Sequence, residues 1–235
     1  LSSPKVASVL ALDVLKPGDL VIDIGSNDAT TLKAYPQDCY RLVGIDPTGR
    51  KFAAYYPSAI QLVPDFFSAE VVREACKGAK AKVITSFSMF YDLEDPVAFA
   101  REIAGALHPD GVWIFEQSYL PTMLHTNSFD TICQEHLEFY AFRQIEWIAR
   151  EAGLKVLDVE FNDINGGSFS ITAAKRDSSL QARQDRLEAI RLEERRLGLD
   201  GEAVYEEFKA RVEVQRASLM SFLSECRRSG KRVCG

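Results

Sequence analysis

The chain is poor in the features that mark several function classes. Its five cysteines, Cys39, Cys76, Cys133, Cys226 and Cys234, are scattered, and no two form a C-x-x-C pair. That spacing argues against a disulfide framework or a zinc site within the chain and fits a reducing cytoplasm. No apolar run approaches the roughly 18 residues of a membrane-spanning helix. Positive charge is in deficit: the formal net charge of -6 leaves no general attraction for a nucleic-acid backbone. Only three histidines are present, so few imidazoles are available for proton transfer near neutral pH. What remains is ordinary globular composition, 46% hydrophobic and 26% charged, over a length that suits one large domain and an appendage.

Glycine is also short where it would matter most. The stretch Asp19-Leu20-Val21-Ile22-Asp23-Ile24-Gly25-Ser26-Asn27-Asp28 reads as a buried parallel strand running into a tight turn. The turn is expected to open a helix from Asp28 to about Tyr35, with Asn27 or Asp28 as N-cap. A dinucleotide site makes room for its pyrophosphate with G-x-G-x-x-G. Here only Gly25 remains, followed by Ser26, Asn27, Asp28 and Ala29. Asp23, two residues before the glycine, would repel a pyrophosphate but suits an ammonium or a sulfonium.

Strand and helix signals then alternate. Residues 41–46 form a second strand ending in Asp46, which lies 21 residues beyond Gly25. At that interval a two-strand nucleotide-binding unit places a carboxylate on ribose hydroxyls, although Asp46-Pro47 also reads as a turn or cap. A third strand spans residues 59–63, and Asp65 and Phe66 after it suit an adenine, or a helix cap beside core aromatics. Helix 68–77, strand 82–88 with Ser86 and Phe87 at its exit, helix 95–107 and strand 111–116 ending in Glu116 follow. Such a rhythm means a mostly parallel sheet covered on both faces, with ligands beyond the carboxyl ends of the strands. Gly25, Asp46, Asp65, Ser86 and Glu116 all fall at that edge.

From Gln117 to Tyr140 the rhythm stops, in a polar, aromatic insertion where substrate contacts belong. Tyr119, Cys133 and Tyr140, with Glu116, are the candidate substrate contacts, and Glu135 and His136 lie in the same insertion. Helix 145–152, strand 154–161, a turn at 165–167 and strand 168–175 close the domain with an antiparallel hairpin. His108 reads as structural in its turn. His125 is open to a substrate or surface role. Dense charge with helically spaced apolar residues then predicts two helices, near 178–197 and 202–229, whose charged runs read as solvated faces. Both ends look cut.

The hydrophobic-Asp-hydrophobic-Gly pattern at 22–25, Asp46 and the closing hairpin together resemble class I S-adenosylmethionine-dependent methyltransferases over residues 6–175. The fold that this implies is a Rossmann-like α/β sheet of seven mostly parallel strands with a C-terminal helical extension. The cofactor would be S-adenosylmethionine, with S-adenosylhomocysteine as product, held by Asp23, Gly25, Ser26, Asn27, Asp46, Asp65, Phe66, Ser86 and Phe87. Asp23–Asp28, Phe129–His136 and Gly166-Gly167-Ser168 further resemble the nucleotide-sugar C-methyltransferases, which methylate a carbon beside the ketone of a nucleotide-linked deoxysugar.

That family has a zinc-binding domain before the methyltransferase domain and a Rossmann-like domain after it. The resemblance therefore implies a methyltransferase domain at 1–175, a helical arm at 176–229, the start of a further domain at 230–235, and zinc only in a preceding domain. A homodimer through the arm is a further expectation. Within this resemblance His136 is the general base and Glu135 orients the ring or the substrate. The family's tyrosine two residues before the glutamate is replaced by Cys133, a weak donor. An O- or N-methyltransferase of another small molecule, an NAD-dependent enzyme and a non-catalytic cofactor-binding module are the competing readings.

Overall fold

The computed structural model describes residues 4–234, apart from the side chain of Asn165. The strands are β1 (Leu20–Ile24), β2 (Arg41–Ile45), β3 (Ile60–Val63), β4 (Ala81–Phe87), β5 (Leu107–Ser118), β6 (Leu154–Asn162) and β7 (Ser168–Lys175). They form one sheet in the order β3-β2-β1-β4-β5-β7-β6. Strands β1 to β5 are parallel, and β7 inserts antiparallel between β5 and β6. The alternation of strand and helix signals therefore produced the expected α/β sheet. The closing hairpin is there too, although its second strand lies inside the sheet and not at the edge.

All five residues of β1 are buried, as a central strand covered on both faces requires. Side-chain alternation sorts the core into two layers. Ile22, Ile84, Trp113, Phe115, Phe169 and Ile171 face α3 (Ala69–Ala75), α4 (Pro96–Ala106) and α6 (Phe142–Glu151). Val21, Val83, Val112 and Ile114 face the other way, toward α1 (Pro4–Ala11) and the short α2 (Thr30–Lys33).

Several element boundaries differ from the sequence expectation, among them the start of β5 at Leu107, not 111, and of α6 at Phe142, not 145. The helix after β1 is one turn, Thr30–Lys33, because Asn27 (φ 44°) and Ala29 (φ 62°) both take left-handed backbone before it. Ala29 is thus no helix start; it sits fully buried in a conformation that usually falls to glycine. Strand β5 runs two residues past Glu116, so this residue pairs with Phe87 and Ser170 inside the sheet. Helix α7 begins at Gln184 (Gln184–Leu197), since residues 178–183 run along the sheet edge, where the Arg183 N–H donates to the Leu157 carbonyl at 2.8 Å.

The insertion after β5 contains α5 (Leu120–Thr126), and Gly167 lies against it. A Cβ on Gly167 would come within 2.1 Å of the Thr122 methyl, and its φ of +124° also favours glycine. Helix α8 (Ala203–Arg228) packs through Phe208, Val204 and Val212 on Met123, Leu124 and Ala141. The charged faces of the arm are not all solvated: Glu194 of α7 is 4% exposed. Lys231–Cys234 follow without regular structure, and Gly235 lies outside the described residues.

Candidate functional site

The turn after β1 closes round a cleft of about 150 Å³, lined by residues 23–28, Thr30, Thr31 and Phe87. Left-handed backbone at Gly25, Asn27 and Ala29 coils the turn tightly, and its Gly25, Asn27 and Ala29 amides are satisfied by Ile45, Asp46 and Ser26. Asp46 holds the turn in place. Its Oδ2 accepts from the Asn27 N–H at 2.8 Å, and its Oδ1 accepts from the Thr48 N–H at 2.7 Å and the Thr48 hydroxyl at 2.8 Å. This is the turn role foreseen as the alternative for Asp46, and Oδ2 still has a lone pair for a further donor.

Asp23 is 3% exposed and accepts from the Thr85 hydroxyl at 2.5 Å. Burial pushes its carboxyl up to about 7; hydrogen bonds from Thr85 and Thr31 act against that rise, and the nearby charge of Asp46 adds to it. Among the described residues no lysine or arginine pairs with it. A buried carboxylate facing a cleft without a partner cation fits a ligand that brings one, such as the ammonium or sulfonium of S-adenosylmethionine.

The wall beside Ser26 rests on residues from other segments. Ser26 Oγ and the Tyr56 hydroxyl lie 2.7 Å apart, and both occupy the space where a Cβ of Gly44 would fall, at 2.5 and 2.6 Å. Tyr56, Thr31 and Thr85 had no local sequence signal; the approach of separate strands makes them neighbours.

Other expected cofactor contacts stand apart from this cleft. Ser86 turns to the opposite face of the sheet, where its hydroxyl accepts from Trp113 Nε1 at 3.0 Å. Its neighbour Phe87 faces the cleft, as period-two alternation requires. Asp65 is exposed and accepts from the Phe66 N–H at 2.7 Å, while the Phe66 ring is 75% exposed. Neither lines the cleft. Phe67 is the core aromatic of that pair, packed on Phe99.

The insertion forms a second centre. His136 Nδ1 lies 2.8 Å from the Thr131 carbonyl, which can only accept, so Nδ1 is the donor there and Nε2 is the nitrogen left for proton transfer. Its ring packs on Tyr91 at 4.4 Å between centroids. Asp92 is close: burial raises its carboxyl, His136 lowers it and Glu135 raises it. Burial likewise raises the Tyr91 phenol, near which Cys133 lies. Glu135 and Cys133 are exposed. The structure therefore brings His136, Glu135 and Cys133 together, and adds Tyr91 and Asp92 from the turn after β4, which sequence reading missed.

Two expected substrate contacts are turned into the core instead. The Tyr119 hydroxyl donates to Glu194 at 2.8 Å, and its ring packs between Phe161 and Phe169. Tyr140 is buried against Phe90. Glu116, also buried, pairs with Lys5 of α1 and accepts from Asn162 Nδ2 at 2.6 Å. His108 lies in the first residues of β5 and not in a turn, where its Nδ1 accepts from the Asp110 N–H at 3.1 Å, and His125 is exposed on α5.

Residues 5–159 match a methyltransferase domain family, and residues 163–235 match the C-methyltransferase C-terminal domain family. The chain is 31% identical over 222 residues to the C-methyltransferase NovU of Streptomyces niveus, across 94% of this chain and 53% of that protein. It thus spans about half the length of this curated relative. Its fold is similar to that of magnesium protoporphyrin IX methyltransferase from Synechocystis PCC 6803 with bound S-adenosylhomocysteine (TM-score 0.54, 16% identity, 73% of this chain and 80% of that one). It is also similar to an S-adenosylmethionine-dependent methyltransferase from Thiobacillus denitrificans in complex with S-adenosylhomocysteine (TM-score 0.50, 14% identity, 74% and 92% covered).

Proposed function

The chain belongs to the class I S-adenosylmethionine-dependent methyltransferases, and from that premise we propose that it methylates a carbon beside the ketone of a nucleotide-linked deoxysugar. The observation that carries the reading is the 2.8 Å contact of His136 Nδ1 with the Thr131 carbonyl, which leaves Nε2 for proton transfer. A carbon acid must lose a proton before it becomes a nucleophile, and the free Nε2 of a neutral imidazole is a base suited to neutral pH. An O- or N-methyltransferase needs less of such a base. The NovU relative is named a C-methyltransferase, which supports carbon as the acceptor.

The cofactor, when bound, supplies an electrophilic methyl group on a sulfonium. The turn at residues 23–28 would hold it, with Asp23 to offset its positive charge, Asp46 fixing the loop and Phe87 as an apolar wall of the cleft. His136 Nε2 takes the proton from the acceptor carbon, and the electrons of that C–H bond pass into an enolate. Tyr91, packed on His136 with the rings tilted by 54°, supplies a phenolic hydroxyl where Cys133 cannot, to hydrogen-bond the enolate oxygen. The exposed carboxylate of Glu135 orients the acceptor in this reading. Holding acceptor and methyl donor in one cleft supplies much of the acceleration.

His136→Gln tests the assignment. With TDP-4-keto-6-deoxyglucose and related keto-sugars, mass spectrometry should show a gain of one methyl with the unaltered protein. The variant should lose that product at least 100-fold, while its affinity for S-adenosylhomocysteine stays within a few-fold. Full turnover by the variant removes His136 as the base.

A further inference from the structure

The pocket at His136 has a volume of about 10 Å³, room for one water molecule. Small-molecule sites begin at roughly 300 Å³, so an acceptor reaches Nε2 only after a wall has moved. Tyr91, Ser118 and Phe139 are three of the walls. Each has a buried chain neighbour behind it: Phe90, Gln117 (1% exposed) and Tyr140 (4% exposed). We propose that Gln117 and Tyr140 are binding residues for the methyl acceptor, whose sugar oxygens pair with their amide and phenol once the wall in front of them moves. The ligand class rests on the function proposed above; the choice of residues rests on their own geometry.

Both side chains belong to the aromatic layer behind the pocket. Gln117 lies on the same face of the sheet as Phe115, two residues before it. Phe90 covers that face, with its ring 5.2 Å from Phe115 and 5.5 Å from Tyr140. Yet the amide oxygen and nitrogen of Gln117 and the hydroxyl of Tyr140 are enclosed without a hydrogen-bond partner among the described residues. Groups buried in this way cost stability, and methionine or phenylalanine would fill the same space without that cost. Two such side chains, both directly behind the pocket of the base, point to a partner that arrives with the acceptor. Neither carries a charge, which selects neutral oxygens over a diphosphate. Each can both donate and accept, which suits a ring bearing a ketone and hydroxyls.

The insertion supplies the wall that moves. Ser118 is fixed in the sheet, where β5 pairs it with Ser168 of β7. Residues 132–141, by contrast, form no helix or strand. The Leu137 and Glu138 N–H groups tie them to the turn after β4, both donating to the Tyr91 carbonyl, at 3.0 and 3.2 Å. Ile132 and Leu137 are exposed, so these side chains add little packing to hold the stretch down. Its far end is anchored by the Leu120 N–H, which donates to the Tyr140 carbonyl at 2.9 Å. Lifting the stretch opens the pocket in front of Gln117 and Tyr140, and lowering it returns His136 to the ring.

Gln117→Met and Tyr140→Phe test the assignment, since they remove the polar atoms and keep the packing. Thermal melts without ligand give one readout. Calorimetry with TDP-4-keto-6-deoxyglucose, TDP alone and S-adenosylhomocysteine gives the other. Each variant should melt no lower than the unaltered protein and bind the keto-sugar nucleotide about tenfold more weakly. Affinities for TDP and S-adenosylhomocysteine should stay within about twofold, which also shows that the variants are folded. In either variant, a melting temperature lower by more than about 2 °C means that the group is already paired in the unliganded protein, and removes that residue from the site. Unchanged keto-sugar affinity removes it as well. Loss of both residues from the site, with methyl transfer by the unaltered protein, overturns the inference and leaves the proposed reaction standing. Weakened binding in the variants, with no methyl transfer by the unaltered protein, upholds the site and overturns the reaction. An unaltered protein that does not bind the keto-sugar nucleotide overturns the ligand.

Discussion

Asp23 is the residue whose state depends most on what enters the cofactor cleft. Its carboxyl ionises near 3.8 in the unfolded chain and at about 7 in the fold. Between those values the folded protein holds a proton that the unfolded chain has lost, so this group's contribution to stability falls as pH rises from 4 to 7 and then levels off. Asp23→Asn, which cannot ionise, should therefore gain on the unaltered protein by a few kcal/mol between pH 5 and pH 8 in denaturant melts without ligand. Parallel stability curves would refute the shift. A cationic ligand favours the ionised form, so S-adenosylhomocysteine, with its ammonium, should bind more tightly as pH rises toward 7, by at most tenfold per unit, and the Asn variant should lose that slope.

Asp23, Gly25 and Asp46 were legible in the sequence because strand ends and a tight turn fix them locally. Tyr56, Tyr91 and Asp92 were not, since each reaches its site by packing between segments distant in sequence. Ser86 shows a missed local rule: with Phe87 facing the cleft, alternation sends its neighbour to the other side.

Helix α7 is joined to the methyltransferase domain by one buried carboxylate. Glu194 accepts from the Phe142 N–H at 2.6 Å, the Arg143 N–H at 3.1 Å and the Tyr119 hydroxyl at 2.8 Å. Two of those donors are the first amides of α6, where unpaired N–H groups and the helix dipole favour a negative charge. Glu194→Ala leaves three donors unpaired, two of them buried, and should cost about 2–4 kcal/mol of unfolding free energy. Glu194→Gln keeps an acceptor oxygen and should cost less. Chemical denaturation measures both, and a cost under 0.5 kcal/mol for the alanine variant would mean that water replaces the cap.

The element pattern itself was readable, because apolar strands alternate with helical periodicity through residue 175. Glu194 was not, because a carboxylate in a run of charged residues looks like any solvated one until α6 is docked against it. The length of the helix after β1 was hidden in the same way: nothing in the letters of Asn27 and Ala29 announces left-handed backbone at both.

At the scale of the molecule, α8 divides into a half that belongs to the domain and a half that extends from it. Phe208, 9% exposed, joins Val204 and Val212 in a cluster with Met123, Leu124 and Leu199, so the first half of the helix holds the insertion that carries His136. Arg211 strengthens that contact by donating to the Leu124 carbonyl at 2.6 Å. Further along, Val214, Leu219, Met220 and Phe222 are 56–71% exposed. Removing apolar groups that the fold does not bury costs little, whereas emptying a buried site costs its transfer and cavity terms together. A chain ending after residue 213 should therefore melt within about 2 °C of the unaltered protein, less than 1 kcal/mol at this size. Phe208→Ala should cost about 3 kcal/mol and lower Tm by roughly 6–12 °C. It should also reduce methyl transfer more than cofactor binding, because the cluster supports the insertion and not the turn at Gly25. Calorimetric melts of both proteins, with S-adenosylhomocysteine titrations alongside, decide it. A truncated protein as destabilised as Phe208→Ala would show that the exposed half of the helix is part of the folding unit.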